Sequence, residues 1–210
     1  MKLPIKHFSK NDLRKEADAF DTRFNTSKTI PVPIDLIAEK KLDINIVPLL
    51  NLRENLNNDG FISADFSTIH IDHYVYFNIE TRYRFSIAHE LGHFWLHKKI
   101  FEQFDFHTLD EWKKIYLDID TDDCGWLEYQ AYTFAGMVLV PDYALEPQFS
   151  LILKNLEGNI NKLKDEGIEK ESYLEHVINN IALKIAPIFN VSASCMIKRI
   201  SHDYKYSSII

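Results

Sequence analysis

Residues 89–93 read His-Glu-Leu-Gly-His, the spacing HExxH. On a helix, positions i and i+4 share a face one turn apart, so the imidazoles of His89 and His93 can converge on one cation. Neutral imidazole suits zinc, which in catalytic sites takes three protein ligands and leaves a fourth position to water. Glu90 stands beside that position. It can accept a proton as water attacks a polarised carbonyl, and later pass it to the leaving amine. The competing explanation is an amphipathic core helix that merely carries histidines, since Ile87, Leu91, Phe94 and Trp95 supply an apolar face. Burial of that face is equally what a ligand-bearing helix needs, and Gly92 leaves room for a second element to approach closely.

Two histidines do not complete a catalytic zinc site. The extended pattern HExxHxxGxxH is absent, because Leu96 and Lys99 occupy its glycine and third-histidine positions. His97 is one turn beyond His93. Three ligands at i, i+4 and i+8 on one straight helix would span about 12 Å, too far for one cation. His97 is therefore expected to pack or to support a ligand. A carboxylate from a second helix is the remaining source. The stretch 101–127 carries eight acidic residues against Lys113 and Lys114, most of them expected on a solvated surface. Glu128 differs. It lies in EYQAYTFAGMVLVP, one turn before Ala131, and Ala131, Ala135 and Gly136 put small residues along one side of that helix. The alternative for Glu128 is an ordinary glutamate near a helix start, favoured by the helix dipole.

The elements that must position these residues follow from patterning. Leu13, Ala17, Phe20 and Phe24 predict a helix over about 10–27, with Asn11 as its N-cap. Residues 34–41 read as a short helix and 44–47 as a strand. Beyond the Asp59-Gly60 turn signal, β-branched and aromatic residues predict antiparallel strands at about 60–66, 68–72 and 74–78. A helix from about Arg82 carries HExxH, 101–127 reads as irregular, and a second helix runs from about Trp126 to Val140, stopped by Pro141. Residues 154–172 read as a loop or loosely packed helix, and 172–206 as two or three short helices.

The 210 residues are 46% hydrophobic, with a formal net charge of −7. A diffuse electrostatic grip on nucleic acid or an anionic membrane is not expected at that charge. Cys124 and Cys195 are far apart and support neither a disulfide framework nor a thiolate metal site. No apolar run approaches the roughly 18 residues of a membrane span, and no apolar segment follows the basic N-terminus, so the setting expected is cytoplasmic.

RFSIAHELGHFWLH followed by E-x-x-A-x-x-F-A-x-x-x-L-x-P resembles the ImmA/IrrE metallopeptidases, on Arg84, Phe85, Ala88, His89–His93, Glu128, Ala131, Phe134, Ala135, Leu139 and Pro141. The stretch PVPIDLIAEKKLDINIVPL is similar to that family's lead-in, and IAPIFNVSASCMIKRI to its tail. The resemblance implies an α+β fold: a zincin-like core of a small antiparallel sheet and active-site helices over residues 1–150, then a helical, helix-turn-helix-like segment over 151–210. It implies zinc held by His89, His93 and Glu128, with Glu90 as general base. Mixed nitrogen and oxygen ligation also accepts manganese or iron. The implied activity is an endopeptidase that cuts a helix-turn-helix repressor in a mobile-element or stress response. The long acidic spacer between the motif halves departs from the family pattern and bears on the shape of the cleft.

Substrate would lie extended along the edge of the sheet at 60–78. For the oxyanion-stabilising group, Tyr132, His97, His107 and His176 stay open. In the tail, Lys184, Lys198, Arg199 and Lys205 stand against Asp203, and Asn190-Val191-Ser192 reads as a turn between two helices. Either this is a DNA-contacting pair, or it packs on its own domain or docks a partner. The acidic balance of the chain favours the second, so direct DNA contact is not expected. The rival functional class is a regulatory protein that binds DNA or a repressor, or a toxin–antitoxin component, with a structural or weakly active zincin core.

Overall fold

Ser9 starts the first helix. Its hydroxyl accepts from the Asp12 N–H (3.2 Å) while the Asp12 carboxylate accepts from the Ser9 N–H (3.1 Å). This reciprocal capping box lies two residues before the expected cap at Asn11. The computed structural model describes residues 1–56, 58–106 and 109–203. Two of the residues weighed above, His107 and Lys205, lie outside them. The chain divides into two compact units, Met1–Leu139 and Val140–Ile210.

In the first unit, α1 (Lys10–Phe24) buries Leu13, Ala17 and Phe20. The expected short helix is α2 (Ile34–Leu36) continued by a π turn, Ile37–Lys41. Then come β1 (Asn45–Leu49), α3 (Leu52–Leu56), β2 (Gly60–Ile62) and β3 (Thr68–Asp72). The sheet has the order β1-β3-β2, with β1 parallel and β2 antiparallel to the central β3. It is thus mixed, where wholly antiparallel pairing was expected, because the 44–47 strand joins it.

The third expected strand is a helix, α4 (His73–Asn78). The cause is Asp72, whose Oδ1 accepts from the N–H groups of Tyr74 (3.0 Å) and Val75 (3.3 Å). That cap satisfies the first helical donors and overrides the strand preference of Tyr74, Val75, Tyr76 and Phe77.

The HExxH helix, α5, runs Glu80–Phe101. Most of the stretch expected to be irregular is helical, as α6 (Leu109–Asp118) and the first turns of α7 (Thr121–Leu139). Trp112, Ile115, Tyr116 and Ile119 recur at helical spacing there, and this apolar stripe, masked by acidic neighbours, organises the segment.

The second unit is three helices, α8 (Asp142–Asp165), α9 (Lys170–Phe189) and α10 (Ala193–Ser201). The region 154–172 is largely ordered helix. Pro187 falls in the last turn of α9, after which Asn190 adopts a left-handed conformation (φ 50°) and Ser192 caps α10. A bend of 119° separates α9 from α10, the geometry of a helix-turn-helix pair. Arg199 is buried in this unit, paired with Asp142 and, at 2.6 Å, with Asp203. Among the described residues no single helix is long and apolar enough to cross a membrane.

Candidate metal centre

The site is built on the contact between α5 and α7. A Cβ added at Gly92 would sit 3.0 Å from the Ala131 Cα and 3.1 Å from its carbonyl oxygen, so the two backbones all but touch. Ala131 and Ala135 are fully buried. Gly136, expected to share this role, has open space where its Cβ would be.

This approach brings Glu128 to both histidines. His89 Nε2 lies 3.1 Å from Glu128 Oε2, and His93 Nε2 lies 3.6 Å from Glu128 Oε1. The two Nε2 atoms are 3.1 Å apart. Donors about 2.0–2.1 Å from a tetrahedral zinc stand roughly 3.3 Å from one another. The three donors therefore fit such an ion. Because α7 begins at Thr121, Glu128 is two turns inside it, beyond the reach of the helix-dipole explanation.

Glu90 is 4% exposed and lines the same cavity as His89, His93 and Glu128. Burial pushes its carboxyl up to about 7, with Glu128 adding to that, while His89 and the Ile62 N–H of β2 pull back. The Ile62 contact ties Glu90 to the edge strand. A Cβ at Gly60 would meet the His70 carbonyl oxygen at 2.9 Å and the Glu90 Cγ at 3.8 Å, so glycine keeps β2 close to both. Against burial, the hydrogen bond and charge of His89, with His93 and His97 behind it, hold the Glu128 carboxyl down at about 2.

His97, expected to pack or to support a ligand, is 2% exposed. Its Nδ1 lies 3.1 Å from His93 Nδ1 and its Nε2 lies 3.0 Å from Gln130 Oε1. Burial holds it down at about 4, so the ring is neutral. Of the oxyanion candidates, Tyr132 packs its ring on Phe85 (4.7 Å) and is 37% exposed, and His176 belongs to α9.

The rest of the cavity wall was not singled out in the sequence. It includes Phe101 at the end of α5, Phe104 and Phe106 just past it, and Trp112, Ile115 and Tyr116 on α6. The water-accessible space in the cavity is about 30 Å³, room for roughly one or two waters. The available signal was the apolar stripe of α6. Gln130, two residues past Glu128 and fully buried, had none.

Residues 68–201 match the IrrE N-terminal-like domain, peptidase family M78. The chain belongs to this family. The match spans all three donors and Glu90, and the M78 domain is zincin-like, in accord with the α+β fold. No curated protein matches the chain. Membership places the chain among metallopeptidases, a class that requires a metal, and the His-His-Glu cluster is where one could be held.

Proposed function

We propose that this M78 member is a zinc endopeptidase that cuts a helix-turn-helix transcriptional repressor at a defined site. The observation that carries the reading is the triangle of His89, His93 and Glu128 donors with the buried Glu90 carboxyl in the same cavity. Zinc would be held by those three side chains, a set that manganese or iron also satisfies. When bound, the metal supplies a Lewis acid that polarises the scissile carbonyl and acidifies water. Glu90 accepts the proton of the attacking water and returns it to the leaving amine. The edge strand β2, joined to Glu90 through Ile62, pairs with an extended substrate by backbone hydrogen bonds.

The repressor assignment follows the ImmA/IrrE resemblance and a cytoplasmic setting, the compartment where such a partner resides. Direct DNA contact is not part of the proposal, because Arg199, the central cation of the second tail helix, is engaged inside its own unit. One observation favours a second reading, a binding protein with a weakly active core: the water-accessible space beside the donors is only about 30 Å³.

Glu90→Gln decides between them. It keeps the three donors and removes the base, so hydrolysis should fall by about 10²–10⁴-fold. A candidate repressor from a neighbouring gene is co-expressed with either form, and fragments are identified by mass spectrometry. Cleavage by the wild type alone supports the peptidase. Repressor loss that persists unchanged with Glu90→Gln excludes hydrolysis as its cause.

A further inference from the structure

A buried chain of polar groups leads away from the metal donors. His93 presents Nε2 to Glu128 and His89, and its other nitrogen, Nδ1, faces His97 Nδ1 at 3.1 Å. His97 Nε2 faces Gln130 Oε1 at 3.0 Å, and Gln130 Nε2 donates to the Lys6 carbonyl at 3.0 Å. His93, His97 and Gln130 are 4%, 2% and 0% exposed, so the two links between these side chains are buried, and the last link ends on the part-buried Lys6 carbonyl.

Hydrogen-bond polarity along this chain has one solution that leaves His93 Nε2 free to hold a metal. The Lys6 carbonyl only accepts, so the Gln130 amide NH₂ must face it and the Gln130 oxygen must face His97. That oxygen requires a proton on His97 Nε2. His97 Nδ1 is then the atom left to accept from His93, whose proton must sit on Nδ1 if its Nε2 is to hold a metal. His93 is left with its lone pair on Nε2, the atom beside Glu128 and His89.

We infer that His97 and Gln130 are positioning residues that fix the tautomer and ring orientation of His93 for metal binding, with the Lys6 carbonyl as the terminus that sets the direction of the whole chain. His97 acts only through His93. This role rests on the proposed metal site, and it goes beyond it by assigning two residues outside the donor set and a backbone carbonyl from the segment before α1. Partners of this kind on a ligating histidine contribute about 10–100-fold in metal affinity.

The test is zinc affinity of the full chain, measured by competition with a chromogenic chelator, together with the histidine tautomers from long-range ¹H–¹⁵N NMR. His97→Leu should weaken zinc binding about 10–100-fold. His97→Asn, whose side-chain oxygen falls near the former Nδ1 position, should recover the larger part. Gln130→Met should give a smaller loss, and thermal melting of the metal-free variants reports whether each one folds. In the wild type, His93 should carry its proton on Nδ1 and His97 on Nε2.

Equal affinity in His97→Leu and wild type, equal loss in His97→Leu and His97→Asn, or a proton on His97 Nδ1 would overturn the inference while leaving the metal site standing. A wild type that takes up no zinc would overturn both.

Discussion

The two walls of the cavity are made in different ways. One wall is the α5–α7 contact, where the Gly92 and Ala131 backbones meet and the polar side chains of His93, His97 and Gln130 are buried. The other is α6, held by ring stacking: Trp112 lies on Phe61 (5.4 Å) and Tyr116 on Trp112 (5.0 Å). Trp112 and Ile115 extend the apolar cluster of Leu52, Phe61 and Phe106. Backbone against backbone has little freedom, because neither partner can rotate out of the way. Stacked side chains can slide or change rotamer at modest cost. The wall that sets donor geometry is therefore the stiff one. The wall made by α6 is the adjustable one.

The largest effect should come from the stiff wall's own donor. Zinc at about 100 times its dissociation constant stabilises a folded protein by about 2.7 kcal/mol. For a chain of this size that raises the melting temperature by roughly 5–10 °C. Thermal melting with and without zinc should show this rise for the wild type, reversed by chelator, and no rise for Glu128→Gln. An equal rise in both would remove Glu128 from the donor set and make the α5–α7 contact irrelevant to the metal.

This wall was the more legible one in the sequence. His89, Glu90, His93 and Gly92 are local in the chain, and helix periodicity alone puts them in register. Glu128 was reachable because small residues one and two turns on marked its helix as a close-packing one. His97 could be demoted as a ligand by length alone, yet its partner Gln130 left no trace, since nothing in a glutamine's neighbours announces a buried chain of hydrogen bonds. The other wall was hidden by composition: acidic residues around Trp112, Ile115 and Tyr116 outweighed their spacing. At 73–78 a single side-chain cap from Asp72 turned aromatic strand formers into a helix. The sheet's mixed order depends on which strand β1 joins, a long-range choice with no local signature.

A matched pair of substitutions tests how stiff the first wall is. Glycine to alanine in a helix gains about 1 kcal/mol from propensity. At Gly136 there is open space, so Gly136→Ala should show that gain. At Gly92 the new methyl meets the Ala131 backbone at 3.0 and 3.1 Å. Backbone cannot yield without separating the helices, and such overpacking costs about 1–3 kcal/mol. Gly92→Ala should therefore lower stability in urea unfolding despite its better propensity, and should weaken zinc binding by spreading the donors. A gain at Gly92 equal to that at Gly136 would mean that α5 and α7 adjust freely.

Trp112→Leu should give the smallest effect on the metal. It removes two stacked contacts, each worth about 0.5–1.5 kcal/mol, from a helix that supplies none of the three donors. Equilibrium zinc affinity should stay at the wild-type value while some global stability is lost. The rate at which a chelator extracts zinc should rise, because that rate depends on how often α6 uncovers the cavity. Chelator kinetics followed by absorbance separate the two quantities. If Trp112→Leu weakens equilibrium affinity as much as Gly92→Ala does, α6 is helping to set the donor geometry and the division between a stiff and an adjustable wall fails. If extraction is no faster, α6 is not what covers the site, and the opening that admits substrate must be sought along the β2 edge.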